Sequence, residues 1–375
     1  MSEKKTKVFV GMSGGVDSSV SAALLLEQGY DVVGVFIKVW QADFLPCTWR
    51  EERREAMRAA AHLRIPFLTL DLEKAYKEGV VDYMISEYGA GRVPNPDVMC
   101  NKHVKFGAFL DFAKKNGADF IATGHYARVK PTPRGVLGGE DIQGLPLEYR
   151  LLTGVDKEKD QSYFLWTLTQ EQLAQTLFPV GSLLKSEVRE LARKYGLPNA
   201  EKKDSQGLCF MGAVDMAEFL KHYLATASGN VLDEEGNIIG THDGAMLYTT
   251  GQRHGFTTKK QSVAEEPYFV IKKDIAQNTV TVGHRSIQKV TTNVTEMFVT
   301  NFHVITGKDL SGEKDITARI RYRGKLYPVS LVQDVSKNLS KVKFCEVMSD
   351  VAEGQSIVFY REEECLGGAV IEDVR

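Results

Sequence analysis

Short apolar runs alternate with helical patterns through the first half of the chain. Residues 7–12, centred on Val8-Phe9-Val10, read as a strand. Residues 17–28 read as a helix, with Val20, Ala23, Leu24 and Leu26 available for packing and Gly29 ending it. Residues 30–39 form a near-continuous apolar run, the mark of a strand buried on both faces. A charged, alanine-rich helix over 51–63 follows, then a third strand over 66–72. A helix over 102–116, closed by Gly117, leads to a fourth strand over 120–123. Strands separated by helices predict an α/β fold built on a doubly wound parallel sheet. In such a sheet ligands gather beyond the strand C-termini, which brings Ser13-Gly14-Gly15, Lys38-Val39-Trp40 and Gly124-His125-Tyr126 to one rim.

The pattern then changes in steps. Residues 131–146 are rich in Gly and Pro and read as a surface hairpin or loop. Residues 184–195 read as a helix with Ser186 as N-cap, Gly196 as the C′ residue and Pro198 as the stop. Asp233-Glu234-Glu235-Gly236-Asn237 reads as a turn between short strands. From about residue 286, period-two alternation predicts a small β-barrel or sandwich. Three parts result: a nucleotide domain over 1–212, a small central module over 213–285 and a C-terminal β domain over 286–375.

Composition narrows the class. A length of 375 residues allows two or three domains, and a net charge of −2 leaves room for a basic face balanced by acid elsewhere. The first residues carry no apolar signal region, and no apolar stretch approaches the roughly 20 residues of a membrane span. Five cysteines, an odd number scattered over the chain, do not form a secreted disulfide framework. The expected compartment is the cytosol.

The chemistry sits in loops. A strand feeding Ser13-Gly14-Gly15 and opening a helix is built to grip phosphate. Two glycines admit close approach, and unpaired helical N–H groups, the helix dipole and the hydroxyls of Ser13, Ser18 and Ser19 converge on one anion. No lysine ends the loop, so this is not the G-x-x-x-x-G-K-[ST] motif. Pro94 and Pro96 stiffen a second loop, after which Asp97 and Cys100 stand just ahead of the helix carrying Lys102 and Lys105. Taken alone, Cys100 reads as a buried structural thiol. Cys209 changes that, because it lies in a polar, glycine-containing loop with Lys202 and Lys203 nearby. Two such thiols can pair if their Cα atoms come within about 7 Å, and sulfur transfer needs two. Cys47, Cys345 and Cys365 lack such settings, although Cys47 sits in a loop near the expected site.

The first loop resembles the pyrophosphate-binding loop of the N-type ATP pyrophosphatases. Five motifs in order resemble the bacterial-type tRNA 2-thiouridylases within that superfamily. They are Gly11-Met12-Ser13-Gly14-Gly15-Val16-Asp17-Ser18, Asn95-Pro96-Asp97-Val98-Met99-Cys100-Asn101, Ala122-Thr123-Gly124-His125-Tyr126-Ala127, Lys159-Asp160-Gln161-Ser162-Tyr163-Phe164-Leu165 and Asp204-Ser205-Gln206-Gly207-Leu208-Cys209-Phe210. The resemblance implies an adenine-nucleotide α-hydrolase-like fold and ATP-dependent 2-thiolation of the wobble uridine of tRNA. It implies that Gly11 to Ser18, Ile37 and Gly124 bind ATP, with Asp17 as a partner for Mg²⁺. Family members often carry methionine where this chain has Ile37, a change that keeps an apolar wall. Asn95, Pro96 and Asp97 would contact the target base, with Asp97 a candidate acid or base. Cys209 would hold the persulfide. Cys100 would be the partner nucleophile, freeing sulfide or ending in a transient disulfide with Cys209. Contacts to tRNA are implied at His125, Lys159, Asp160, Gln161, Arg321, Tyr322 and Gln355 and by the C-terminal domain. The partners implied are tRNAs for Lys, Glu and Gln and a persulfide donor, either a cysteine desulfurase or a sulfur-relay protein.

That chemistry is physically coherent. A uridine O2 is a poor leaving group, and adenylation converts it into part of a phosphoester that departs as AMP. Arg319, Arg321, Arg323 and Lys325 alternate with Ile320, Tyr322 and Leu326, which in a strand puts four charges on one face for a phosphate backbone. Two rivals stand beside this reading. One is an amide-forming ligase with the same loop and incidental cysteines; the other is a non-enzymatic RNA-binding protein.

Overall fold

A computed structural model describes residues 5–45, 47–133, 147–204, 215–258, 266–284, 294–332, 339–348 and 351–374. Five parallel strands form the first sheet: β1 (Lys7–Gly11), β2 (Asp31–Lys38), β3 (Phe67–Asp71), β4 (Phe120–Ala122) and, after the antiparallel pair β5 (Ala127–Pro133) and β6 (Leu147–Thr153), β7 (Thr176–Leu177). Their order is β3-β2-β1-β4-β7, so the winding reverses between β1 and β4. That reversal opens a crevice at the C-terminal ends of β1 and β4, where residues 12–15 and 123–126 emerge. Both faces are covered. Val8, Val10, Val32 and Phe36 pack under the helices α1 (Val16–Glu27) and α2 (Trp49–His62), and Phe9, Val33, Val35 and Ile37 face the opposite layer.

That opposite layer contains helical residues 73–89 and 96–115, each interrupted by a π-helical stretch, at Lys77–Val81 and Cys100–Ala108. The second run starts earlier than its apolar pattern indicates. Asn95 caps it by accepting from the Val98 N–H at 3.3 Å, and Pro96 fills the first helical position, so Asp97 and Cys100 lie within the helix rather than ahead of it. Another helix, Lys185–Lys194, begins before Ser186; Glu187 accepts from the Leu184 N–H at 2.6 Å, which supplies the cap in place of the serine. Gly196 ends it with φ +63°.

A central sheet follows, in the order β10 (Thr257–Thr258), β9 (Ile238–His242), β8 (Gly229–Leu232), β12 (Thr279–His284) and β11 (Tyr268–Asp274). The last region closes into a six-stranded barrel: β13 (Val294–Val304), β16 (Ser340–Met348), β15 (Tyr327–Val332), β14 (Thr317–Arg319), β17 (Ser356–Arg361) and β18 (Glu364–Val374), with β18 returning to β13. Met297, Val342, Ile357, Phe359 and Ile371 fill it. The β5–β6 hairpin of the first region extends this barrel, with Leu151 and Leu152 opposite Cys365 and Glu364. The barrel is thus fastened to the nucleotide sheet by strand pairing.

The expected arginine strand is shorter than its alternation indicates. β14 ends at Arg319, and residues 320–326 turn, with Arg323 at φ +59° and the Gly324 N–H donating to Arg321 O at 3.0 Å. Arg319 is drawn inward to Asp160 at 3.3 Å, and Lys325 pairs with Glu346, so the four charges share no common face. The Arg-Gly-Lys sequence is a turn signal that overrides the alternation.

Candidate functional site

The phosphate loop is held open by its own hydroxyls. Ser18 and Ser19, both buried, donate to Gly15 O at 3.1 Å, and the Ser13 N–H donates to Ser18 Oγ at 3.3 Å. Those two hydroxyls therefore shape the loop rather than converging on an anion; in a first helical turn, serine bonds back to the backbone readily. Ser13 remains exposed. On the far side, Asn199 Nδ2 donates to Gly14 O at 3.0 Å and to Ser19 Oγ at 3.0 Å, and Lys202 Nζ donates to Gly14 O at 3.4 Å. The N–H of the same trans peptide, that of Gly15, points the other way and donates to Ser13 Oγ at 3.3 Å. Gly14, at φ +77°, has no room for a side chain, because a Cβ would lie 2.5 Å from Glu52 O. Gly124 is required for the same reason, since its Cβ would lie 2.8 Å from the Ser18 N. Gly11, Met12 and Val16 offer backbone only; Met12 and Val16 are buried, and Met12 fills the space beside Gly34. Ile37 is buried at the end of β2.

A lysine from outside the loop reaches Asp17. Lys185 Nζ lies 2.6 Å from Asp17 Oδ1 and 2.9 Å from Asp204 Oδ1, and Tyr126 Oη donates to Asp17 Oδ1 at 2.9 Å. Burial, reinforced by the Asp17 charge, pushes the Tyr126 hydroxyl far up, so it stays a donor. Burial alone would raise Asp204, but hydrogen bonds from Lys159 and Lys185 outweigh it and hold the carboxyl well below its usual range. Arg189 adds a contact to Asp204 at 2.7 Å. Asp17 Oδ2 has no hydrogen-bond partner among the described residues, so this carboxylate oxygen would fit as a ligand to Mg²⁺. Among the described residues no three His, Cys, Asp or Glu side chains gather as a metal cage.

The second part of the site is the run from Asn95 to Lys105. Cys100 is fully buried between Val98, Val104 and Phe106, and it opens the π-helical stretch. A π-helix bonds residue i to i+5, which sets Lys105 one turn from Cys100. Lys105 Nζ lies 3.5 Å from His125 Nε2, and His125 Nδ1 lies 2.7 Å from Thr123 Oγ1. His125 is buried against Phe106 and Phe178; burial, helped by Lys105, holds its pKa well below normal. It is a neutral internal link and presents no surface for RNA. Lys105, His125, Gly124 and Asp17-Ser18 thus form a continuous chain of contacts from the thiol helix to the phosphate loop.

Residues 159–161 are brackets. Asp160 is buried and accepts from the Gly154 N–H, the Ser162 N–H and Arg319. Gln161 Oε1 accepts from the Tyr126 N–H at 3.1 Å, and Lys159 pairs with Asp204 at 2.7 Å. Asp160 therefore has no free edge for RNA; its sequence neighbours gave no sign of that burial. Tyr322 packs on Phe164 with ring centroids 4.7 Å apart, close to Lys159, and Arg321 stands beside it. Gln355 reaches back to Val93 and Pro94. Cys209 lies outside the described residues, as do Ser205 to Phe210; Asp204 is the last described residue before them. Cys47 and Cys345 are exposed, and Cys365 is buried, with its thiol pushed up by burial. Lys185 and Asn199 were not legible as site residues, because only the fold brings them to residues 14–19; Tyr126 was expected at this rim, and the fold adds its bond to Asp17.

Family models match three consecutive stretches: a tRNA methyl transferase HUP domain over 6–213, a tRNA methyl transferase PRC-barrel domain over 217–284 and an aminomethyltransferase β-barrel domain over 294–371. A tRNA-specific 2-thiouridylase MnmA from Enterococcus faecalis is 45% identical over 372 residues, covering 98% of this chain and 96% of its own. The chain belongs to the tRNA-specific 2-thiouridylase family. A second member, MnmA from Streptococcus equi subsp. zooepidemicus, is 44% identical over 375 residues, covering 98% of this chain and 95% of its own. Among solved structures, the U34-tRNA thiolase NcsA from Methanococcus maripaludis aligns over 58% of this chain and 63% of its own, with 15% identity and a TM-score of 0.35.

Proposed function

We propose that this protein is a cytosolic, ATP-dependent tRNA-uridine 2-sulfurtransferase that adenylates O2 of the wobble uridine and replaces it with sulfur. The observation that carries the reading is the contact chain from the Cys100 helix through Lys105, His125 and Gly124 to Asp17 and Ser18. It supports reading the Cys100 helix and the phosphate-gripping loop as parts of one site. Methyl transfer, the word in two of the family descriptions, needs no such loop; activation by ATP does. An amide-forming ligase needs the loop but not a thiol beside the base-contact segment.

In this account the loop N–H groups and Lys185 hold the triphosphate and stabilise charge on the departing pyrophosphate as uridine O2 attacks the α-phosphorus. Asp17 would hold Mg²⁺, which supplies further neutralisation of phosphate charge. Asn95, Pro96 and Asp97 receive the everted base; leaving the stack costs a few kcal/mol, less in a single-stranded loop. Cys209 carries the outer sulfur as a persulfide. Cys100 attacks Cys209 Sγ, and the bond to the outer sulfur breaks, releasing it as sulfide or on to C2. C2 loses AMP, the two cysteines end as a disulfide, and an external thiol reduces them for the next cycle. Substrates are tRNAs for Lys, Glu and Gln, with sulfur from a desulfurase or a relay protein. Nucleoside mass spectrometry of unmodified tRNA incubated with protein, ATP, Mg²⁺ and a persulfide donor tests the reading. The expected product is 2-thiouridine that requires ATP.

A further inference from the structure

We infer that Gln355 is a positioning residue for the thiolation site, acting through the carbonyls of Val93 and Pro94, and that the barrel is therefore a working part of that site. The inference rests on reading Asn95 to Cys100 as the base and sulfur site. Gln355 Nε2 donates to Val93 O at 3.0 Å and to Pro94 O at 3.1 Å. A carboxamide nitrogen has two hydrogens, and both are used. The remaining Oε1 only accepts, and a phosphate oxygen also only accepts. While it holds the loop, Gln355 therefore has no donor left for a phosphate; its Oε1 can only accept, from a ribose hydroxyl or a base N–H.

The loop needs such support. Pro94 and Pro96 lack N–H groups, so residues 93–96 own two backbone donors between them. One, the Val93 N–H, goes to Glu353 O at 2.8 Å. Gly354 lies so close that a Cβ would sit 2.9 Å from both Arg92 Cβ and Val93 N. The strut itself is rigid: the Gly354 N–H donates to Ile371 O and the Ile371 N–H to Gln355 O, each at 2.8 Å, which pins the turn to β18. Beyond it, Tyr163 Oη bonds Ser356 O at 2.8 Å and Ile320 O at 3.2 Å, close to the Asn95 side chain. The barrel region thus holds Val93 and Pro94 directly, and Tyr163 links the surroundings of Asn95 to Ser356, one helical turn before Cys100.

Two substitutions separate positioning from RNA contact. Gln355→Met keeps the length without the donor, and Gln355→Glu keeps the shape but turns an acceptor toward two carbonyls. Three quantities are read: tRNA affinity by filter binding, single-turnover thiolation at saturating tRNA, and the alkylation rate of Cys100 by iodoacetamide in RNA-free protein. We expect thiolation at saturation to fall about tenfold or more, affinity to stay within about threefold, and Cys100 alkylation to rise about threefold or more. Weakened affinity with normal saturated rate and unchanged alkylation would overturn the inference in favour of direct RNA contact. Loss of cooperative folding in both variants would overturn it in favour of a purely structural role. Should the wild type make no thiouridine, the thiolation reading fails, yet the alkylation change still reports whether Gln355 positions the Cys100 helix.

Discussion

Lys185 bridges Asp17 and Asp204 at 2.6 and 2.9 Å, joining the helix that opens the phosphate loop to the segment leading toward Cys209. A cation shared by two carboxylates is poised to take a third, stronger anion. Lys185→Met is expected to cut tRNA-dependent pyrophosphate release by about 10²–10³-fold, the scale seen when one charge-stabilising donor is lost. Persulfide loading of Cys209 should survive, because it needs no nucleotide. Pyrophosphate release and persulfide mass shift, measured on one preparation, check both halves.

Gly14→Ala places a Cβ 2.5 Å from Glu52 O at a φ of +77°. The expected cost is roughly 1–3 kcal/mol of stability, with ATP turnover lost. Urea melts and ATP binding by calorimetry test it. Gly117→Ala, at φ +75° with open space around it, should cost less and leave ATP binding intact.

Asn199→Asp keeps the shape but loses the amide that donates to Gly14 O and Ser19 Oγ, and it faces a carbonyl with a carboxylate. The expected result is ATP affinity weakened about tenfold or more with tRNA affinity unchanged. Equal loss of both would mean that Asn199 supports the fold alone.

Burial pushes Lys273 down to about 8, against an opposing pull from Glu353, while Nζ donates to Tyr248 O at 2.8 Å. The unfolded chain keeps its proton up to about 10.4. Between the two values the unfolded state binds more protons, so stability should rise with pH from about 8 to 10.4. Denaturant midpoints across that range check it, and Lys273→Met should remove this contribution.

Much of the fold was readable because its signals are local. Gly29, Gly117 and Gly196 ended helices as their positions indicated, each at positive φ, and the apolar run of 30–39 became the doubly buried β2. The reading failed where tertiary contacts override pattern. Arg319 follows the alternation of an exposed stripe, yet Asp160 draws it inside. His125 looked like a rim residue, yet Phe106 and Phe178 enclose it. In the site, the loop at 13–18 was legible because glycine and serine have backbone reasons to be there. Lys185 was not, since a lysine after Leu184 is an ordinary helix residue until the chain folds it onto Asp17. The π-helical stretch at Cys100 likewise has no sequence signature.

The central claim is that one crevice activates a uridine with ATP and delivers sulfur to it. The most direct measurement is nucleoside mass spectrometry on unmodified tRNA with ATP, Mg²⁺ and a persulfide donor, run beside Cys100→Ser and Cys209→Ser. The account predicts 2-thiouridine from the wild type only when ATP is present and none from either variant. Pyrophosphate released by small acids and amines, with no thiolated base under any donor, would contradict it.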